Sequence, residues 1–486
     1  MLSGDISSVF KRMKEERVRF VDLQFTDVPG RLQHITLPAS KLDADALVNG
    51  VPKLDGSSIR GFAEISESDM LLRPDPTTFA VIPWSSQENR TARLICDVYA
   101  GFGGARFPRD PRYVATKAED YAREQGYSLS YWGPEVEFFV FKGVSWNVLS
   151  PYRGQSYNIE SSEAAWSVEA GYPIRFKEGY YPAPPQDTLM EYRCTVIRFL
   201  EDYFGVDCEA HHHEVATAGQ CEVDMVRGEL VKMADNVMTL KYVAKNVARN
   251  HGMVATMMPK PIFGDNASGM HTHVSLWSEA DPAEVASREV VNLFYDPEDE
   301  YAELSQLGRY FIGGLLEHSR ALAAIVAPTT NSYKRLVPGY EAPVFIAWSR
   351  GNRSANVRVP VYEKGVESAA KKRVEFRTPD PSCNPYLCFA AIMAAGLDGI
   401  RRKVDPGDPV NENIYELTPE RRKQLGIGEL PGSLKEAIDA LKSDSVFLKP
   451  IFTQDLIEKV IENGMKEHVE ISARPHPYEF YLYFDI

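Results

Sequence analysis

Apolar and polar residues alternate with period two in four separate stretches of this chain, a pattern that puts successive side chains on opposite faces of a strand. In Tyr131-Trp132-Gly133-Pro134-Glu135-Val136-Glu137-Phe138-Phe139-Val140-Phe141 the aromatic and β-branched residues favour a strand, with Glu135 and Glu137 on one face and Val136 on the other. Residues 211–224 read as a strand, a turn at Gly219 and a returning strand, which brings Glu214 and Glu222 to neighbouring positions of a hairpin. The same alternation turns the middle of three consecutive histidines, His212, away from its neighbours. Residues 268–276 place His271, His273 and Ser275 on one face, and 373–377 set Glu375 between Arg373 and Arg377 with Val374 and Phe376 behind.

Helical spacing appears over 189–204, 229–250, 304–327 and 384–402, the last capped by Asn384 with Pro385 at its first position. Asp110-Pro111 opens another helix in the same way, and 1–20 reads as a short amphipathic helix carrying Lys11, Arg12 and Lys14. Up to about residue 105 the chain reads as short strands with Pro and Gly turns, and Gly101-Phe102-Gly103-Gly104 marks a boundary. The expected division is 1–106 and 107–486. Strands outnumber the crossover helices that a doubly wound sheet needs, so the expected class is α+β, with a curved, largely antiparallel sheet flanked by helices. No internal repeat or low-complexity tract is present.

Acid chemistry ties the strands together. Glu135, Glu137, Glu214, Glu222 and Glu375 with His271 would put five negative charges in one cavity, which stay ionised only beside two or three divalent cations. Oxygen ligands with one imidazole suit Mg²⁺ or Mn²⁺ better than zinc. The bland readings are solvated strand faces and, at 373–377, a salt-bridge ladder. A complementary run of guanidinium groups, Arg335, Arg350, Arg353, Arg358, Arg373 and Arg377, suits anionic substrates and a transferring phosphoryl group.

Composition narrows the partners. A net charge of -14 and the Pro, Gly and apolar residues that interrupt the arginine run argue against nucleic acid. The 486 residues, 44% hydrophobic and 25% charged, are ordinary globular composition for two or three domains. No apolar run approaches the ~20 residues of a membrane span. The six cysteines show no CxxC spacing, and with no secretory leader the expectation is reduced thiols in a cytoplasmic protein.

The segments Asp55-Gly56-Ser57-Ser58-Ile59, Gly133-Pro134-Glu135-Val136-Glu137-Phe138-Phe139, 211–220, Lys260-Pro261 with Phe263-Gly264-Asp265-Asn266, 331–343, Asn352-Arg353-Ser354 and Asn384-Pro385-Tyr386-Leu387 closely resemble class I glutamine synthetases, in the family's order from about residue 15 to the end. The resemblance implies a β-grasp N-terminal domain and a C-terminal catalytic domain. It implies glutamine formation from glutamate, ammonia and ATP through γ-glutamyl phosphate, in a homododecamer of two hexameric rings with intersubunit active sites. By the same resemblance Glu137, Glu214 and Glu222 match the ligands of one metal and Glu135, His271 and Glu375 those of a second. Arg335 and Arg377 match residues on the glutamate carboxylates, with the 265–269 loop that carries Asn266 and Ala267 beside them. Arg353 and Arg358 match residues on the phosphates, and Glu209, His273, Ser275 and Arg373 fall where the family contacts ATP. Glu341 matches a flap residue that takes a proton from ammonium, and Asp55 an aspartate that reaches in from the neighbouring subunit.

The chain departs from the family at several positions. Ala267 stands where Gly is usual, strained if that position needs positive φ. Glu64 replaces an arginine tied to feedback inhibition, Tyr415 aligns with a tyrosine that some members adenylylate, and an extended 360–371 segment blurs any match for a nucleotide-contacting lysine at Lys371 or Lys372. Two rivals are a γ-glutamyl ligase for a polyamine or another amine, which the intact Asp55 latch and Glu341 disfavour, and a non-catalytic structural member, against which the complete acid and arginine sets count.

Overall fold

The computed structural model describes residues 2–63, 68–101, 104–168, 171–279, 290–361 and 364–485. After helix α1 (Leu2–Glu15), the first sheet uses β1 (Phe20–Thr26), β2 (Leu32–Pro38), β3 (Val51–Asp55), β4 (Asp69–Pro74), β5 (Ala80–Val81) and β6 (Thr91–Ala100), with helix α2 (Ala44–Asn49) between β2 and β3. Its order is β2-β1-β6-β4-β3, with β5 also on β6; β1 and β6 are parallel and the other pairs antiparallel. Val21, Leu23, Leu94 and Val98 are fully buried, which fixes which face meets the core.

Asp110 accepts from the Arg112 backbone N–H at 3.1 Å and opens α3 (Pro111–Glu124), as its sequence predicts. The Arg112 side chain joins the two parts of the molecule, pairing with Asp75 and Asp97 of the first at 2.7 and 2.8 Å and with Asp235 of the second at 3.0 Å. Of the expected 101–104 boundary, Phe102 and Gly103 lie outside the described residues.

The second sheet is built from β7 (Leu129–Phe141), β10 (Cys208–His213), β11 (Gln220–Met225), β12 (Val254–Thr256), β13 (Met270–Glu279), β14 (Val290–Asn292), β15 (Phe345–Arg350), β16 (Ala355–Val359), β17 (Val374–Phe376) and β18 (Gly428–Glu429), while β8 (Gly143–Asn147) and β9 (Ser156–Glu160) form a separate hairpin. The order is β10-β11-β7-β13-β17-β16-β15-β18, antiparallel except for β15 with β16. The class is therefore α+β, with the largely antiparallel sheet expected.

Helices α4 (Met190–Phe204), α5 (Leu230–Asn250), α6 (Gln306–Glu317), α7 (Ser319–Val326), α8 (Ser332–Arg335) and α9 (Pro385–Arg402) complete the part that positions the site. Helix α9 is apolar on every side and buried from Pro385 to Gly399; Asn384 caps it, accepting from Tyr386 N at 3.1 Å. Phe389 on α9 stacks on Trp132 of β7 at 5.0 Å, and burial of such a side chain stabilises by about 1.5–3 kcal/mol. Where α6 meets α9, a Cβ on Gly314 or Gly399 would strike the other helix's backbone, so both positions need glycine.

The single helix expected over 304–327 is two. His318 ends α6: its Nδ1 meets Asp444 at 2.7 Å, its Nε2 meets Asp398 at 3.1 Å, and its ring stacks on Phe447 at 4.0 Å. Apolar period alone misses this break because the partners come from distant segments.

Candidate active site

Strand register gathers the acids. Across the sheet Glu222 pairs with Glu137, Asp224 with Glu135, Glu135 with His271, His273 with Glu375, and Glu375 with Arg358. Directly paired residues share a face, so these side chains form one polar row over β11, β7, β13, β17 and β16. The opposite face carries Val136, Phe138, Val223, Met270, Val274 and Phe376, all fully buried, and that burial pins the register.

Six predicted ligands converge there. His271 Nδ1 lies 3.2 Å from Glu135 Oε2 and 4.0 Å from Glu137 Oε1, between the two expected sets. Within each of two groups, Glu135 with His273 and Glu375, and His212 with Glu214 and Glu222, the ligand atoms lie within 4.8 Å of one another. His212, set aside in the sequence reading, thus belongs to the row, 3.6 Å from Glu214 and 3.8 Å from Glu222. Shared parity with Glu214 was the available signal. Glu214 follows the last residue of β10, and the register partner of Glu222 is His212. Gln220 and Asp224 were also missed: Gln220 Nε2 donates to Glu137 Oε2 at 2.9 Å, and Asp224 stands opposite Glu135.

The electrostatics differ along the row. Burial pushes the Glu137 and Glu222 carboxyls well above the usual range, the first helped by Glu214 and the second by Glu137 and Glu214; burial also raises Glu214. Asp224 rises to about 6 through burial and Glu135. At the other end burial opposes ionisation of Glu375, but Arg377 and His273 bring it down to about 2. Arg358 Nη1 sits 2.5 Å from Glu375 Oε2 and Arg377 Nη1 2.9 Å from Oε1. Burial raises Glu135 too, yet His273 and His271 hold it well below the usual range. His271 is lowered to about 4 by burial and Arg377, leaving a neutral imidazole free to ligate.

Of the two arginines expected on one face with Glu375, Arg377 pairs with it directly and Arg373 reaches its register partner His273. Arg373 Nε donates to His273 Nδ1 at 3.1 Å, and His273 Nε2 lies 2.8 Å from Glu135 Oε1. The second guanidinium on Glu375 comes from β16. The donor set, buried carboxylates that repel one another beside neutral imidazole, fits hard divalent cations.

Other predicted residues surround the row. Arg335 is 1% exposed and donates to the carbonyls of Thr378 and Arg377 at 2.8 and 3.0 Å. Ser275 is buried and accepts from Trp277 Nε1 at 2.9 Å; Glu209 and Arg353 are exposed. Asn266 is buried, its N–H donating to Asp265 Oδ1 at 3.0 Å. Ala267 carries no left-handed strain, since the positive-φ residue of that loop is Gly264 at +80°. Glu341 is exposed at φ +58°, a conformation that costs a non-glycine residue about 1–3 kcal/mol.

Tyr415 is packed: its hydroxyl donates to the Ala342 carbonyl at 2.7 Å. Lys372 donates to the Ala302 carbonyl at 2.6 Å. Tyr181 lies 4.6 Å from the His212 ring and stacks on Tyr180 at 4.1 Å, a pair that the sequence reading missed. Asp55, at the end of β3, accepts from Ser57 and Ser58 of its own turn at 2.7 and 3.0 Å, and these bonds lower its pKa. Glu64 lies outside the described residues. All six cysteines are unpaired, four of them buried. A cavity of ≈ 760 Å³ opens elsewhere, between the β1–β2 turn, α5 and the helix Gln454–Ser472, and none of the predicted site residues lines it.

Residues 17–101 match the family model "Glutamine synthetase, beta-Grasp domain" and residues 108–483 match "Glutamine synthetase, catalytic domain". The glutamine synthetase of Sulfolobus acidocaldarius is 56% identical over 473 residues, covering 97% of each chain, and that of Frankia alni is 46% identical, covering 98% of each. Among solved structures, the Plasmodium falciparum glutamine synthetase superposes with TM-score 0.86 at 26% identity, covering 98% of each chain. A GmaS–ADP complex superposes with TM-score 0.78 at 28% identity, over 98% of this chain and 99% of that one.

Proposed function

Because the chain belongs to the glutamine synthetase family and joins ammonia to glutamate at the expense of ATP, we propose that the polar row over β11–β16 is where this ligation occurs. The observation that carries the assignment is the gathering of five glutamates and His271 on one face, with Arg358 and Arg377 at one end.

Glu135, His271 and Glu375 would hold one divalent cation and Glu137, Glu214 and Glu222 another, with His212 and His273 at their margins and Mg²⁺ or Mn²⁺ the ions that suit them. When bound, such ions neutralise charge on the ATP phosphates. Arg353 and Arg358 meet those phosphates, with Glu209, Ser275 and Arg373 about the nucleotide. Arg335 and Arg377 hold the glutamate carboxylates beside Asn266 and Ala267.

The γ-carboxylate oxygen of glutamate attacks the γ-phosphorus, the bond to ADP breaks, and γ-glutamyl phosphate forms. Ammonium must then lose a proton, because only NH₃ carries a free electron pair. Asp55 attracts the cation and Glu341 takes the proton, so ammonia attacks the carbonyl carbon and phosphate leaves. Covering the intermediate matters because water would hydrolyse it.

Asp55 is exposed at the end of β3, which leaves its carboxylate accessible to a neighbouring subunit. We read the assembly as a homododecamer of two hexameric rings with the active site between subunits, and the domains as 1–106 and 107–486. No described helix is long and apolar enough to cross a membrane, and the reading places the protein in the cytoplasm.

The test is Mg²⁺- and ATP-dependent phosphate release by the purified protein with glutamate and ammonium, against a panel of amines, with products identified by mass. Glutamine from ammonium is expected. Turnover with a larger amine only would assign another γ-glutamyl ligase, and no turnover with any amine would sink the catalytic reading.

A further inference from the structure

Glu341 is exposed and in left-handed backbone, and an L-residue stays there only when its neighbours are held. On its C-terminal side Tyr415 bonds the Ala342 carbonyl at 2.7 Å, and Arg377 Nη2 reaches the Glu341 carbonyl at 3.5 Å. On its N-terminal side stands Tyr340, whose ring has two ammonium groups near it: Lys260 Nζ at 3.8 Å from the ring centroid and Lys177 Nζ at 4.2 Å. Lys177 Nζ also donates to the Gly339 carbonyl at 3.1 Å.

Both lysines are anchored through Asp265. The Lys177 backbone N–H donates to Asp265 Oδ1 at 3.1 Å, and Lys260 Nζ donates to the Asp265 carbonyl. Lys260 is further fixed by reciprocal bonds with Asn331, 2.8 and 3.0 Å, at the start of the run that leads to the flap. Asp265 precedes Asn266 and Ala267, and its other oxygen accepts from the Thr217 backbone at 2.7 Å. Three loops, around 177, 260–267 and 337–342, thus meet at one ring.

We infer that Tyr340 is a positioning residue for the ligation: held by Lys177 and Lys260, its ring fixes Glu341 over the site and couples the flap to the Asn266 loop. The inference rests on the reading of Glu341 given above. Cation–π attraction strengthens where the cation is shielded from water, and Lys260 is buried. Tyr340 needs its ring for this contact and not its hydroxyl. Its contribution is to keep Glu341 placed while the acyl phosphate waits, so that ammonia and not water reaches the carbonyl.

The experiment compares the full-length enzyme with Tyr340→Phe, Tyr340→Leu and Lys177→Met. It measures glutamine, phosphate released, and amide hydrogen exchange over 337–343 without substrates. Tyr340→Leu should raise the ratio of phosphate to glutamine about tenfold and lower kcat/KM for ammonium by about 10- to 100-fold, with KM for ATP unchanged. Tyr340→Phe should stay within about threefold of the native enzyme, because it keeps the π face. Lys177→Met, which leaves the buried residues intact, should speed exchange in 337–343 about fivefold.

Tyr340→Leu with full coupling, Tyr340→Phe as impaired as Tyr340→Leu, or unchanged exchange in Lys177→Met would each overturn the inference. If Tyr340→Leu does not fold, the Lys177→Met exchange decides. A native enzyme that makes no glutamine would instead sink the functional reading, while the exchange arm still judges the clasp.

Discussion

At one end of the acid row Glu375 lies between Arg358 and Arg377 and is held at a pKa of about 2; at the other, Glu137, Glu214 and Glu222 face one another and are pushed upward by burial. The first end has its countercharge built into the fold. The second needs charge from outside, a proton or a cation. Two carboxylate groups of like composition therefore respond in opposite ways when an acid is removed, when the pH changes and when divalent ions are withdrawn.

The largest expected contrast is in stability without metal. Glu375→Gln leaves two buried arginines short of a countercharge and should destabilise the chelator-treated protein by about 3–5 kcal/mol. Glu222→Gln removes a repelling acid and should stabilise it, by about 1 kcal/mol. Thermal unfolding in chelator reads both, and equal losses in the two variants would abolish the distinction between the ends.

Activity should reverse that order for Glu222. Although more stable, Glu222→Gln is expected to lose at least about 100-fold in kcat at saturating Mg²⁺, because cation placement at that end is weakened. Native-like turnover would remove Glu222 from the proposed ligand set.

The pH dependence follows from the signs. The raised acids have folded pKa values above the unfolded ~4.3, so the folded chain holds more protons in that window. Metal-free stability at that end is lost as pH rises from the ordinary carboxylate range past about 6, where Asp224 titrates. Glu375 acts oppositely: its contribution is present above ~4.3 and lost as pH falls toward about 2. Mn²⁺ should thus raise the unfolding midpoint more at pH 8 than at pH 6 and release protons on binding. Calorimetry in two buffers of different ionisation enthalpy checks this, and binding with no proton release would contradict the raised acids.

The smallest effect sharpens the boundary between the ends. His212→Ala should weaken Mn²⁺ binding at the Glu214–Glu222 end by about tenfold, as loss of a ligand or its partner does. Paramagnetic broadening of the ring signals of His271 and His273 should still report occupancy at the other end. Loss of both signals' response would mean that the row binds ions as one unit.

How much of this was legible in the residues varies by element. The face shared by Glu135 and Glu137, the Asn384 cap and the Asp110 cap were readable, because each is fixed by a few consecutive residues. The motifs that resemble the glutamine synthetases named nearly all the candidate site before any geometry was known. His212 was passed over although parity marked it, because a run of three histidines hides which one faces the acids. The break at His318 and the bond of Arg373 to His273 gave no local signal, since their partners lie 80 or more residues away.

The chain's own order of residues determined which side chains share a face, where helices start and which charges are available, for these follow from backbone period and local hydrogen bonds. Register, and with it the alignment of Glu222 with Glu137 and of Glu375 with Arg358, was decided only in the folded molecule. The pairing of strands far apart in sequence is set by the apolar face that all of them must bury together, and no single strand carries that information.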